Sequence, residues 1–198
     1  MLRVIIGAAI AAVVMMVISF LIYMTPLSGI GADKVTTEQA AQLQQVLAST
    51  LQETGAYRVP DPNTAEQTGL HAQGPVATIT YNAKGNANSN AAAMRYAYAL
   101  VLNFLVALAI GAALIGLDRR GSRFGARARL ALLFGFAAAA FMHLSRPIWL
   151  LGDWSSAIFG FLADGLAIGL GGVIVAWFIP SLGERQPAEA PREAPREV

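Results

Sequence analysis

The sequence predicts a membrane all-α protein: four transmembrane helices, with a small α+β extracytoplasmic segment between the first and the second. Three observations predict it. Only 13% of the 198 residues are charged and 56% are hydrophobic, whereas soluble domains carry about 25% charged residues. The deficit is concentrated in four long apolar runs, each able to cross a hydrocarbon core. A short loop between two of these runs collects five arginines, the signature of a cytoplasmic connection.

The first run is Val4 to Met24, 21 residues without a charge, preceded by Arg3. It exceeds a signal h-region of roughly 7–15 residues and lacks a good small-residue cleavage context. It reads as an uncleaved span (4–24), with Tyr23 at the interface and Pro26 as a stop.

Residues 25–93 are polar and form the extracytoplasmic segment. Thr36-Thr37-Glu38-Gln39 matches a capping box. Ala40, Leu43, Leu47 and Leu51 then recur at helical spacing, and Gly55 follows as a stop. A helix over 36–53 is predicted, with those leucines buried against a strand or the membrane. Val59-Pro60-Asp61-Pro62 interrupts regular structure. Val76 to Tyr81 is β-branched and aromatic and reads as a strand, with Tyr57 to Val59 as its partner. The segment is too small to bury much core by itself, so it leans on the membrane or on a second copy.

Met94 to Leu117 is the second span. Asn103 is its strongly polar interior residue, and Ala107 and Gly111 supply a small-residue face. The loop 118–129, DRRGSRFGARAR, carries five arginines against one aspartate, while the 25–93 segment carries three basic and five acidic residues. The positive-inside rule explains that contrast; nucleic-acid contact is not expected. The third span is Leu130 to Ile148 (130–148), with Ala131, Gly135 and Ala139 at four-residue intervals. At its far end His143, Arg146, Pro147, Trp149, Asp153 and Trp154 cluster. The fourth span is Ser156 to Ile179 (156–179). It holds one carboxylate, Asp164, followed by Gly165 and Gly169 at a spacing that lets another helix approach closely. Pro180 and Gly183 end it. The tail 181–198 is rich in proline and mixed charge and is expected to be disordered and cytoplasmic.

The order of span, helix, Gly55-x-Tyr57, Pro60, then Gly74-Pro75-Val76-Ala77-x-Ile79-x-Tyr81, then three spans resembles an uncharacterised group of small four-span bacterial membrane proteins. The resemblance implies a layout and no activity.

Several chemistries find no support. The chain has no cysteine, which excludes thiolate metal sites and cysteine nucleophiles. There is no HExxH, GxxxxGK[ST], GxSxG or GxGxxG pattern in a suitable context. His71 and His143 lie in separate segments with no ligand spacing. No cofactor, no metal and no enzymatic activity is expected.

One constellation remains. With the basic loop in the cytoplasm, Asn103 and Asp164 lie roughly 10–12 Å below the outer boundary at about 1.5 Å per residue. His143 and Arg146 enter the same outer layer from the third span. A charge at such depth costs at least ~2 kcal/mol unless partnered or protonated. One reading is structural: Asp164 is protonated or bonded to Asn103 and holds helices together. The other is a proton or cation relay, or a small polar ligand site open to the outside. The expected function is a non-catalytic accessory or scaffolding component of a bacterial envelope complex; the alternative is a small transporter or channel using Asp164. The expected surroundings are the lipid bilayer of the bacterial inner membrane and other membrane proteins or a second copy. Both termini are expected in the cytoplasm.

Overall fold

A computed structural model describes residues 2–85, 89–117 and 123–180. The order is α1 (Leu2–Tyr23), a 3-10 turn (Pro26–Ile30), α2 (Thr37–Thr50), β1 (Gly55–Val59), α3 (Ala65–Gln73), β2 (Ala77–Tyr81), α4 (Ser89–Leu117), α5 (Phe124–Leu150) and α6 (Trp154–Trp177). Four of these helices, α1, α4, α5 and α6, are long and apolar enough to cross a membrane. The fold is mostly helical with one small sheet, and the chain is a multi-pass membrane protein. A bilayer offers no water to the backbone, so each apolar run must close its own hydrogen bonds, and a helix does so.

The ends of the elements follow local chemistry. α1 stops before Pro26: Thr25 Oγ1 donates to the Leu21 carbonyl at 2.7 Å and accepts from Leu27 N at 3.4 Å. α2 opens with the predicted capping box. Gln39 N donates to Thr36 Oγ1 at 3.2 Å, and Thr36 N donates to Gln39 Oε1 at 2.9 Å. α2 ends at Thr50, earlier than the expected 53. Gly55 does not cap it; Gly55 instead opens β1, which must be extended to pair.

β1 and β2 are antiparallel, with Gly55 opposite Tyr81, Tyr57 opposite Ile79 and Val59 opposite Ala77. Both the strand and its partner were predicted, within one or two residues. α3 was not. Its nine residues include no apolar stripe beyond Leu70 and alanines, so periodicity gave no signal. Polar bonds hold its start: Asp61 N donates to Gln67 Oε1 at 2.8 Å, and Asp61 Oδ1 accepts from Asn63 N at 3.0 Å. Gly74, at φ +57°, ends it, a conformation that glycine adopts without penalty.

α4 and α5 are longer than predicted, while α6 keeps 24 residues but lies two positions earlier than the expected 156–179. α4 begins at Ser89 rather than 94. α5 begins at Phe124, so residues 124–129 are helical and not part of a basic loop as expected; arginine is a good helix former and its stem can lie along apolar surface. α5 runs past Pro147, whose ring removes the hydrogen bond to the His143 carbonyl. It ends where Leu151 takes a positive φ of 53°. α6 starts at Trp154 because Asp153 caps it: Asp153 Oδ2 accepts from Ser156 N at 2.7 Å. The expected tail 181–198 and residues 118–122 of the expected loop lie outside the described residues.

The described residues group into two compact units. One comprises those of 1–19, 99–138 and 164–198; the other comprises those of 20–98 and 139–163. In the first, all four spans share one core. Val4, Ala8 and Ala11 of α1, Ala107 and Leu114 of α4, Ala131 of α5, and Val175 and Ala176 of α6 are buried together. The cluster is rich in alanine because lipid supplies no hydrophobic drive between helices, so close backbone approach and dispersion contacts must hold them.

Candidate functional site

The predicted small-residue faces serve as helix contacts within the first unit. A Cβ added to Gly135 would lie 2.5 Å from the Gly169 backbone nitrogen and 2.7 Å from its Cα. α5 and α6 therefore meet backbone to backbone. One turn away, a Cβ on Gly165 would lie 2.6 Å from the Phe136 ring, and one on Gly111 would lie 2.7 Å from Val4 Cγ1 and 3.0 Å from Val175 Cγ1. Two faces carry contacts that sequence reasoning did not single out. On α1, Gly7 packs against Phe178. On α6, Gly171 packs against Met15 and Gly172 against Ala131.

The four polar residues divide two and two. Asn103 and Asp164 belong to the first unit, His143 and Arg146 to the second. Asn103 Nδ2 donates to the Ala12 carbonyl at 3.4 Å. That bond joins α4 to α1 and not to Asp164. Ala12 is buried, so the amide engages a carbonyl in the heart of α1. Asp164 is half-buried, and its neighbours Ala163 and Gly165 are buried.

In the second unit His143 and Arg146 line one cavity of about 370 Å³, together with Ser28, Gly31, Asp153 and Ser156. Its walls require small residues. A Cβ at Gly160 would collide with the His143 ring, and one at Gly31 with Phe159. Phe159 meets Tyr23 edge to face at 5.8 Å, so the end of α1 and the start of α6 frame one side. Arg146 is exposed. Asp153 is held ionised: the Ser155 hydroxyl, and next the Ser156 amide, donate to its carboxylate and keep its pKa below the ordinary value. The cavity thus gathers a guanidinium, an imidazole, a carboxylate and the hydroxyl side chains Tyr23, Ser28 and Ser156. Ser28 and Gly31 carried no sequence signal; only the 3-10 turn after Pro26 brings them there.

A third feature bears on the strand half of the expectation that Leu43, Leu47 and Leu51 are buried against a strand or the membrane. The strands do not bury them: Leu43 is exposed, and Leu47 and Leu51 are half-buried. Leu43 is 53% exposed, and with Ala40, Leu47 and Tyr81 it lines an open groove of about 490 Å³ beside the turn at Asn82–Gly85. The helix is amphipathic as predicted, but a two-stranded sheet is too narrow to cover its apolar face.

Among the described residues no group of three or more His, Cys, Asp or Glu side chains is placed to hold a metal ion. Comparison with family models, with curated proteins and with solved structures finds no significant match to this chain.

Proposed function

We propose that this chain is a non-catalytic accessory or scaffolding component of a complex in the bacterial cytoplasmic membrane, with both termini inside and residues 25–93 outside. The observation that carries this reading is the open apolar groove on α2. The chain leaves Leu43 of the capped helix exposed and Leu47 half-buried beside Tyr81, and apolar surface that a stably folded element leaves uncovered is what a partner protein covers. The use of the intramembrane small residues as helix contacts also supports it. Gly135, Gly165, Gly169 and Gly172 pack α5 and α6 together, Gly171 packs α6 on α1, and Asn103 bonds α1. Polar residues used in this way hold a bundle together rather than move a substrate.

The alternative, a small transporter or channel using Asp164, draws on one observation: a cavity of a size that suits a small ligand carries His143 and Arg146 in its lining, with Asp164 outside that lining. Asp164 separates the two readings. In a scaffold, Asp164→Asn is nearly harmless and Asp164→Leu lowers stability by about 1 kcal/mol, the usual scale of an interhelical polar bond. In a transporter, Asp164→Asn abolishes the function while leaving the melting temperature unchanged, because only the titrating group is lost. Thermal melting in detergent and rescue of a deletion strain measure both. A scaffold keeps the deletion phenotype rescued by Asp164→Asn; loss of rescue with normal melting overturns the scaffold reading.

A further inference from the structure

A second cavity, in the first unit, is formed where α1 and α5 begin and α6 ends. It measures about 640 Å³, and Arg3, Ile6, Phe124, Arg127, Trp177 and Phe178 line it. We propose that this cavity binds the phosphate headgroup of an anionic phospholipid, with the acyl chains lying on the adjoining apolar helix surface.

The charge comes from two helices. Arg3 lies in the first turn of α1 and Arg127 in the first turn of α5. Both helix N-termini direct the positive end of their dipoles to this end of the unit, which favours an anion. Arg127 is 4% exposed, so its guanidinium is built into the wall rather than spread over the surface. A guanidinium presents a planar fork of donors that matches phosphate oxygens, and it keeps its charge at any accessible pH. Among the described lining residues none is acidic.

The rim identifies the ligand as a lipid rather than a soluble anion. Trp177 is 77% exposed and meets Phe124 edge to face at 6.1 Å. Exposed tryptophan at the end of a span occupies the headgroup level of a bilayer. Ile6, on the same rim, is exposed and apolar, a surface for acyl chains. A basic pocket between transmembrane helices under an aromatic rim suits a lipid headgroup. The chain's own tail after Pro180 is a poorer occupant, since its four glutamates are offset by three arginines.

Trp177 reports on the cavity. The chain has three tryptophans, so Trp149→Phe with Trp154→Phe leaves Trp177 as the sole emitter. The full chain, reconstituted in phosphatidylcholine vesicles, is titrated with brominated phosphatidylglycerol or brominated phosphatidylcholine. Each arginine is expected to contribute about a fivefold preference for the anionic lipid in quenching Trp177. Arg3→Gln, at an exposed position, lowers the preference by about that factor, and Arg127→Lys, which retains charge but not the fork, lowers it less. Arg95→Gln, at the opposite end of α4, leaves it unchanged. Equal quenching by the two lipids overturns the proposal, as does a preference that survives Arg3→Gln in a normally folded chain. A preference erased by inorganic phosphate but not by chloride of equal ionic strength assigns the cavity to a soluble anion instead. A preference that emerges only on removal of residues 181–198 assigns it to the tail.

Discussion

Single residues decide how closely the spans pack, and Gly135 is the clearest case. Its missing side chain lets α5 meet α6 at the Gly169 backbone, and backbone cannot move aside as a side chain tip can. Gly135→Ala is expected to destabilise the chain by about 1–3 kcal/mol, the cost of forcing volume into a packed contact. Gly116→Ala is the matched control, because nothing lies within 4 Å of a Cβ there. Thermal unfolding in detergent measures both, and equal melting temperatures would show that the contact at Gly135 is not tight. Asp164 precedes Gly165 in the chain and is half-buried. His143 works differently. Its ring rests on Gly160, so the cavity it lines in the second unit depends on a glycine that has no chemistry of its own.

At the scale of the element, α2 shows how local rules fix a helix without fixing its burial. The reciprocal bonds between Thr36 and Gln39 and the apolar spacing place the helix. What its apolar face meets is a matter of what else the segment can build. Two five-residue strands and a nine-residue helix leave that face open. The scaffold reading gives this exposure a test. A cysteine replacing Leu43 should react with a water-soluble maleimide as fast as one replacing Gln42 in the purified chain, because both positions are exposed. In native membranes the cysteine at 43 should slow while the one at 42 does not. Unchanged rates at both positions would remove the groove as a contact surface, and the scaffold reading with it.

At the scale of the whole molecule, the proposed threading rests on charge. Five arginines from Asp118 to Arg129, against the acidic balance of residues 25–93, are what the positive-inside rule associates with a cytoplasmic segment. Reporter fusions at Gly121 and Asn63 check this. Cytoplasmic reporter activity is expected at Gly121 and periplasmic activity at Asn63; the reverse would invert the threading. The headgroup cavity gives this pattern a second use, because Arg127 belongs to the same basic run yet is buried in a helix. A charge that sets orientation during insertion can thereafter sit against a lipid phosphate.

The sequence by itself determined the four spans, because length and apolarity in a bilayer admit few solutions. It also determined the capped α2, the strand at Val76 to Tyr81 with its partner, and the glycine faces, since each rests on spacing within a few residues. It did not reveal α3, whose start is held by bonds from the Asp61 turn rather than by an apolar stripe. It did not reveal that Asn103 would bond Ala12, 91 positions earlier in the chain, nor that Arg3 and Arg127 would line one cavity. Periodicity states which face of a helix is apolar or small. Which helix that face meets depends on crossings between segments far apart in the chain, and only the tertiary structure decides them.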